Sequence, residues 1–234
     1  MEVIRVESVS HRNGSHFQLS DVSLSINRGE YIGIMGANGA GKTTLLRIIC
    51  GLIRPQKGRV EISGISAEKI KNIARLIGIV NQHSGLPDLI KVKEFLSYQA
   101  KLRNLKKSSI EKFLKLAQLE KYYNVFLSQL SEGNRRKVSI IKALLHDPEI
   151  IIMDEPTLGL DPVVKNEIWN FLLNLKKSDT TLIVATNNIE EAKSLCDKVY
   201  FLNDGNLTAE FAGEDVGSNN SLYERNLTGG NNNV

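Results

Sequence analysis

The residues Gly36-Ala37-Asn38-Gly39-Ala40-Gly41-Lys42-Thr43 have the types and spacing to hold a chain of phosphates. Glycines let the backbone curl until successive N–H groups point inward. Lys42 brings a full positive charge for the outer phosphates, and Thr44 is counted with the loop among the phosphate-binding residues. Thr43 supplies a hydroxyl suited to Mg²⁺, a hard cation that prefers oxygen ligands. A second stretch, Ile150-Ile151-Ile152-Met153-Asp154-Glu155, delivers two adjacent carboxylates at the end of an apolar run. The first carboxylate suits Mg²⁺, usually through water, and the second can orient and deprotonate an attacking water.

The loop must be positioned by a strand before it and a helix after it. Tyr31-Ile32-Gly33-Ile34-Met35 reads as that strand, and the apolar run that begins at Leu45 belongs to a helix from Lys42 that ends at Gly51, with Pro55 shortly beyond. The helix aims the positive end of its dipole at the loop. Other extended segments are Val3 to Val9, Leu19 to Ile26, Arg59 to Ile62 and Arg75 to Val80. A polar turn, His11-Arg12-Asn13-Gly14-Ser15, is expected between the first two, and Asn81-Gln82 ends the last. Helical periodicity then takes over in a lobe of about 91–146, with Ser131 fitting the N-cap of a helix running to Leu145. Such a helix start presents free N–H groups. Glu149–Met153 reads as a buried strand, followed by a helix from Pro162 to Lys176 and a strand from Thr180 to Ala185. A helix near Glu190 to Leu195 and a strand pair around Asp204-Gly205 complete the pattern. Strands alternating with helices on this scale imply an α/β fold with a mainly parallel sheet covered on both faces.

The whole chain sets bounds on the reading. With 41% hydrophobic and 24% charged residues it is an ordinary globular composition. A net charge of +4 is too small to argue for nucleic acid as a partner, and no basic stripe is interleaved with aromatics. Lys106-Lys107, Arg135-Arg136-Lys137 and Lys176-Lys177 read as solvated helix faces. No apolar run approaches the ~20 residues of a membrane-spanning helix, and Glu2, Arg5 and Glu7 break any signal-peptide pattern. A cytosolic location is therefore expected. Cys50 and Cys196 make neither a metal spacing nor a disulfide framework and read as small buried hydrophobes, while His16 and His146 read as surface or helix-end residues and His83 merely follows Gln82. Past Gly213 the composition shifts to Asn, Gly and Ser, so 214–234 is expected to be a flexible tail, with disorder from Asn231.

In combination these motifs resemble the ATP-binding subunit of an ATP-binding-cassette (ABC) transporter, from about Val3 to Phe211. Gln82 stands in the place of the Q-loop glutamine. Leu130-Ser131-Glu132-Gly133-Asn134 stands in the place of the signature motif, and Pro156-Thr157-Leu158-Gly159-Leu160-Asp161 looks like the D-loop. The resemblance implies a P-loop NTPase core over residues 1–213, with a small antiparallel β subdomain and an inserted helical lobe. It also implies a Mg²⁺-dependent ATPase in which Thr43, Gln82 and Asp154 hold the metal and Glu155, Gln82 and the residue at 187 serve the reaction. Two subunits would clamp ATP head to tail, each nucleotide on the phosphate loop of one and under Ser131 and Gly133 of the other. Transmembrane permease subunits would dock near Gln82 and the helical lobe, holding the protein at the inner face of the cell membrane.

Three departures qualify this picture. The family's switch histidine is replaced by Asn187, in Thr186-Asn187-Asn188-Ile189-Glu190-Glu191-Ala192, which implies slow hydrolysis because an amide carries no titratable charge. Glu132 and Asn134 replace the usual glycine and glutamine of the signature. The aromatic that stacks on adenine is missing near Asn13, with Phe17 or His11 as substitutes. The spacing Pro156-Thr157-x-Gly159-Leu160-Asp161-Pro162 and the stretch Ser221–Gly229 look similar to the ABC-2 exporter branch. Two alternatives stand beside an exporter subunit: a soluble ABC ATPase of the assembly or scaffold type, and a weakly hydrolysing regulatory half paired with a second cassette. The long coiled-coil insertion of the DNA-repair members is absent.

Overall fold

The computed structural model describes residues 1–13, 17–176 and 179–216. Its centre is a six-stranded sheet built from β3 (Tyr31–Met35), β6 (Ile77–Val80), β7 (Ile150–Asp154), β8 (Thr181–Ala185), β9 (Lys198–Asn203) and β10 (Asn206–Ala212). The order is β10-β9-β3-β8-β7-β6. All neighbours run parallel except β10, which closes a hairpin on β9. Beside it lies an antiparallel sheet, order β2-β1-β4-β5, from β1 (Glu2–Asn13), β2 (Phe17–Asn27), β4 (Lys57–Ile62) and β5 (Ile65–Ser66).

Side chains along a strand point alternately to opposite faces, and the apolar strands of the central sheet therefore fill two cores. Tyr31, Met35, Ile151, Met153, Leu182 and Val184 face one core. Their immediate neighbours Ile32, Ile34, Ile150, Ile152, Ile183 and Ala185 face the other, shared with the antiparallel sheet and α1 (Lys42–Ile49). The first core is closed by α3 (Val92–Lys101), α4 (Lys107–Leu116), α5 (Glu132–Leu144), α6 (Pro162–Lys176) and α7 (Ile189–Leu195). A single turn, α2 (Ile70–Ile73), leads into β6.

Several expectations are corrected. β1 runs on through His11, Arg12 and Asn13, whose partners are Leu19, Gln18 and Phe17, so the polar stretch expected to turn is largely extended. The two-residue strand β5 and the one-turn helix α2 are too short for a sequence period to reveal. Arg135-Arg136-Lys137 is not a solvated face: Arg136 is 4% and Lys137 5% exposed. Lys137 Nζ instead lies 2.6 Å from the Glu167 carboxylate on α6, and Arg135 donates to the Leu127 and Leu86 carbonyls. Packing continues through Val216, which is 1% exposed after the 3₁₀ turn Gly213–Asp215. The Gly14-Ser15 part of the expected turn, His16, Lys177, the Ser221–Gly229 stretch and the terminus from Asn231 lie outside the described residues. Cys50 and Cys196 are buried, and burial pushes the Cys50 thiol up to about 12, as expected of inert packing residues. His83 is exposed, and His146 sits half-buried beyond α5 with its Nε2 on the Ile77 carbonyl.

Candidate active site

Four parallel strands end side by side, and each hands its next residues to one cleft. Gly36 follows β3, Asn81 and Gln82 follow β6, Glu155 follows β7, and Asn187 lies just beyond β8. The strand ends are tied to one another. Glu155 N–H donates to the Ala185 carbonyl at 2.9 Å, and Thr186 N–H to the Ile34 carbonyl at 3.1 Å. The C-terminal edge of a parallel sheet is where such folds bind ligands. The cleft there has a volume of about 540 Å³ and is lined by Asn38, Gly39, Gly41, Lys42, Thr43 and Thr44. Gln82, Asp154, Glu155, Leu158 and Asn187 complete its wall.

The loop from Gly36 to Gly41 is packed as well as curled. A Cβ at Gly36 would stand 2.1 Å from the Leu202 carbonyl oxygen, so only glycine lets β3 turn this close to β9. Ala40 N–H bonds the Ala37 carbonyl, while the Ala40 carbonyl takes Gly205 N–H, pinning the loop to the β9–β10 hairpin. The loop runs into α1 through Gly41 at φ 111°, with no side chain capping the helix and no acid in its first turn. The N–H groups at this start are thus left for an anion, which the helix dipole also favours.

Lys42 Nζ donates to the Gly36 and Ala37 carbonyls at 2.8 and 3.2 Å and to Asn187 Oδ1 at 2.6 Å. Glu155 Oε1 lies 3.9 Å from the same ammonium. Burial lowers the Lys42 pKa, an effect that Glu155 and Asp154 oppose. Burial likewise raises the Glu155 pKa, opposed by Lys42 and by a backbone hydrogen bond from Asn187. Thr43 Oγ1 donates to Asp154 Oδ2 at 2.7 Å, bringing together a hydroxyl from the first turn of α1 and a carboxylate from the end of β7. That all-oxygen pair suits Mg²⁺, and the uncapped α1 start beside a buried lysine suits a polyphosphate.

The structure therefore gathers Lys42, Thr43, Gln82, Asp154, Glu155 and Asn187 into one cleft. Ser131 and Gly133 are not among the lining residues. Ser131 is exposed at the start of α5 and accepts from Asn134 N–H at 3.4 Å. Gly133 is buried, and a Cβ there would come within 2.3 Å of Val164 Cγ1 on α6. Glu132 points to solvent, its carboxylate 4.0 Å from Arg135. Of the candidates for stacking on a base, His11 is half-buried in β1 outside the cleft, and the Asn13 and Phe17 side chains lie outside the described residues.

Sequence reasoning missed two buried groups behind the cleft. Glu191 accepts from Thr157 Oγ1 at 2.7 Å and from Trp169 Nε1 at 3.1 Å, bracing the segment that follows Glu155. Arg136 donates to backbone carbonyls on both sides of the β6 and β7 ends. Helical spacing was the available signal, because Arg136 falls three residues after Gly133 and four before Ile140, on the face that α5 buries.

Residues 19–158 match the family model described as ABC transporter. The chain belongs to the ABC transporter family of ATP-binding proteins. The cassette is 38% identical to the ABC transporter ATP-binding protein NatA of Bacillus subtilis, over 87% of this chain and 83% of that protein. It is 34% identical to the Nod factor export ATP-binding protein I of Rhizobium etli, over 92% of this chain and 70% of the relative. Among solved structures, cbiO1 from Clostridium perfringens, part of the transporter complex cbiONQ, superposes with a TM-score of 0.86 and 27% identity. That match covers 94% of this chain and 92% of cbiO1. The dimeric post-hydrolysis structure of the cassette MJ0796, bound to ADP and Pi, superposes at 0.79 with 29% identity, over 89% and 98% of the two chains. The fold is that of a P-loop ABC ATPase cassette. No helix among the described residues is long and apolar enough to cross a membrane.

Proposed function

We propose that this cassette binds Mg²⁺–ATP in the cleft, hydrolyses it, and uses the cycle to drive permease subunits in the export direction. The observation that carries the proposal is the division of the site. The phosphate loop, Gln82, Asp154, Glu155 and Asn187 share one cleft, whereas Ser131 lies exposed at another surface of the same chain. A second cassette is needed to bring a Ser131 over that cleft, and the dimeric MJ0796 structure is a neighbour with that oligomeric state.

A Mg²⁺ held in the cleft would neutralise charge that builds as the terminal phosphate bond breaks. Thr43 and Asp154 would hold it, with Gln82 at the rim. Lys42 and the first N–H groups of α1 orient the phosphates. Glu155 Oε1, its pKa raised by burial, takes a proton from the attacking water and returns it as products leave. Asn187 orients through its amide but supplies no titrating proton, so turnover at this cleft is slow.

A second cleft of about 490 Å³ adjoins the first and shares Thr43, Gln82 and Asp154 with it, while Arg47, Leu52 and His83 line its far side. That continuity supports permease docking beside the nucleotide. The relatives are named as transporter proteins, which favours a permease partner over an assembly scaffold, and the Nod factor relative supports export. Asn187 also favours a second reading, a slow half paired with a faster cassette.

The test is ATP hydrolysis by the purified chain with Mg²⁺, wild type beside Glu155→Gln, together with sizing in ATP. Turnover abolished by Glu155→Gln and an ATP-dependent dimer are expected. Hydrolysis that survives Glu155→Gln unchanged would reject the assignment.

A further inference from the structure

We propose that Arg136 is a positioning residue for hydrolysis, holding Glu155 in place and gearing it to the start of α5; this rests on the function proposed above. A guanidinium has five N–H donors in a rigid fork, and here each has a backbone acceptor. Nε donates to the Pro156 carbonyl at 2.6 Å. Nη1 serves the Asn81 and Gln82 carbonyls, and Nη2 the Asp154 and Glu155 carbonyls at 3.2 and 2.8 Å. One buried side chain on α5 thus clamps the ends of β6 and β7 together. A lysine ammonium, with three donors on a single point, cannot span those acceptors.

The clamp acts where the backbone needs holding. Glu155 lies at φ 47°, in the left-handed region that is strained for a residue with a side chain. Three bonds fix the backbone of this residue: Glu155 N–H donates to the Ala185 carbonyl, and the Glu155 carbonyl accepts from Arg136 Nη2 at 2.8 Å and, more weakly, from Leu158 N–H at 3.3 Å. That conformation places Oε1 within 3.9 Å of Lys42. The next residues are held from the far side by Thr157 on Glu191. Arg136 follows the exposed Ser131 by five residues on the same helix. A ligand that shifts the start of α5 therefore moves the guanidinium, and with it the Glu155 carbonyl. Arg136 itself does not line the cleft, so the phosphate cradle is built without it.

The experiment compares the full chain with Arg136→Lys and Arg136→Gln by amide hydrogen exchange, ATP affinity and kcat, with Glu155→Gln alongside. In both Arg136 variants we expect exchange over residues 153–158 to quicken about tenfold while residues 36–44 keep their wild-type rates. We expect kcat to drop about tenfold or more with ATP affinity held within about threefold. Arg136→Lys keeps the buried charge and carries the test should Arg136→Gln fail to fold. Unchanged exchange over 153–158, or affinity falling in step with kcat, overturns the proposal. If wild type and Glu155→Gln hydrolyse ATP equally, the catalytic reading fails, and exchange still decides whether Arg136 holds this segment.

Discussion

Asn187 and Lys42 are joined side chain to side chain, Oδ1 accepting from Nζ at 2.6 Å. An ammonium offers only donors, which fixes the amide's orientation and leaves its Nδ2 to donate to Asn38 Oδ1 at 2.7 Å. The amide therefore braces both the lysine and the phosphate loop. An imidazole at this position would add a group able to carry a proton. Asn187→His is expected to raise kcat about tenfold, equivalent to ~1.4 kcal/mol of barrier, and Asn187→Ala to lower it by a similar factor. Steady-state ATPase measurements check both, and an unchanged Asn187→His rate removes the argument for slow turnover.

Opposite pKa shifts at Glu155 and Lys42 define a pH window. Glu155 must be ionised to accept a proton, and burial raises its pKa, so kcat should fail on acidification above the ordinary glutamate value of about 4.3. Lys42 must be charged to hold phosphate, and burial lowers its pKa, so ATP affinity should weaken on the alkaline side below the ordinary lysine value of about 10.4. Profiles of kcat and of ATP affinity separate the two limbs. An acid limb at the ordinary glutamate value contradicts the first assignment.

Thr43→Val removes a hydroxyl while keeping the shape of the side chain. The lost bond to Asp154, 2.7 Å long, should cost about 1 kcal/mol of stability. The Mg²⁺ concentration for half-maximal hydrolysis should rise at least about tenfold. Denaturant melts and Mg²⁺ titrations measure the two effects independently. An unaltered Mg²⁺ requirement would mean the threonine is only a structural hydroxyl.

The packing of Gly133 on Val164 gives a stability prediction independent of nucleotide. A Cβ at Gly133 would approach Val164 Cγ1 to 2.3 Å, and overpacking of this kind costs about 1–3 kcal/mol. Gly133→Ala should be destabilised by that amount, and Val164→Ala in the same chain should recover most of it. A fully stable Gly133→Ala protein would show that α5 and α6 separate easily.

Much of this architecture was legible because its signals are local. The phosphate loop needs glycines at fixed offsets, the apolar run before Asp154 needs a buried parallel strand, and the helix Pro162–Lys176 has the bounds its periodicity implies. Ser131 was readable as an N-cap because the capping bond spans three residues. What stayed hidden depends on neighbours distant in sequence. Arg136 looked like one member of a basic run, since nothing near it announces that its acceptors lie 18–20 and 54–55 residues away. Glu191 was similarly hidden, its partners Thr157 and Trp169 coming from other segments. The division of the candidate site between the cleft and Ser131 was implied by the family resemblance alone, since no local signal separates the two surfaces.

The left-handed backbone at Glu155 has a consequence for selection. Glycine or asparagine tolerates that conformation at less cost than glutamate does, so replacement by either relieves strain while deleting the carboxylate. Variants sorted for heat resistance alone would accumulate those residues at position 155 and lose the carboxylate proposed as the proton acceptor. Endurance and turnover are opposed at this position, and a lineage bred only for endurance would keep the grip on nucleotide while giving up the means to release it.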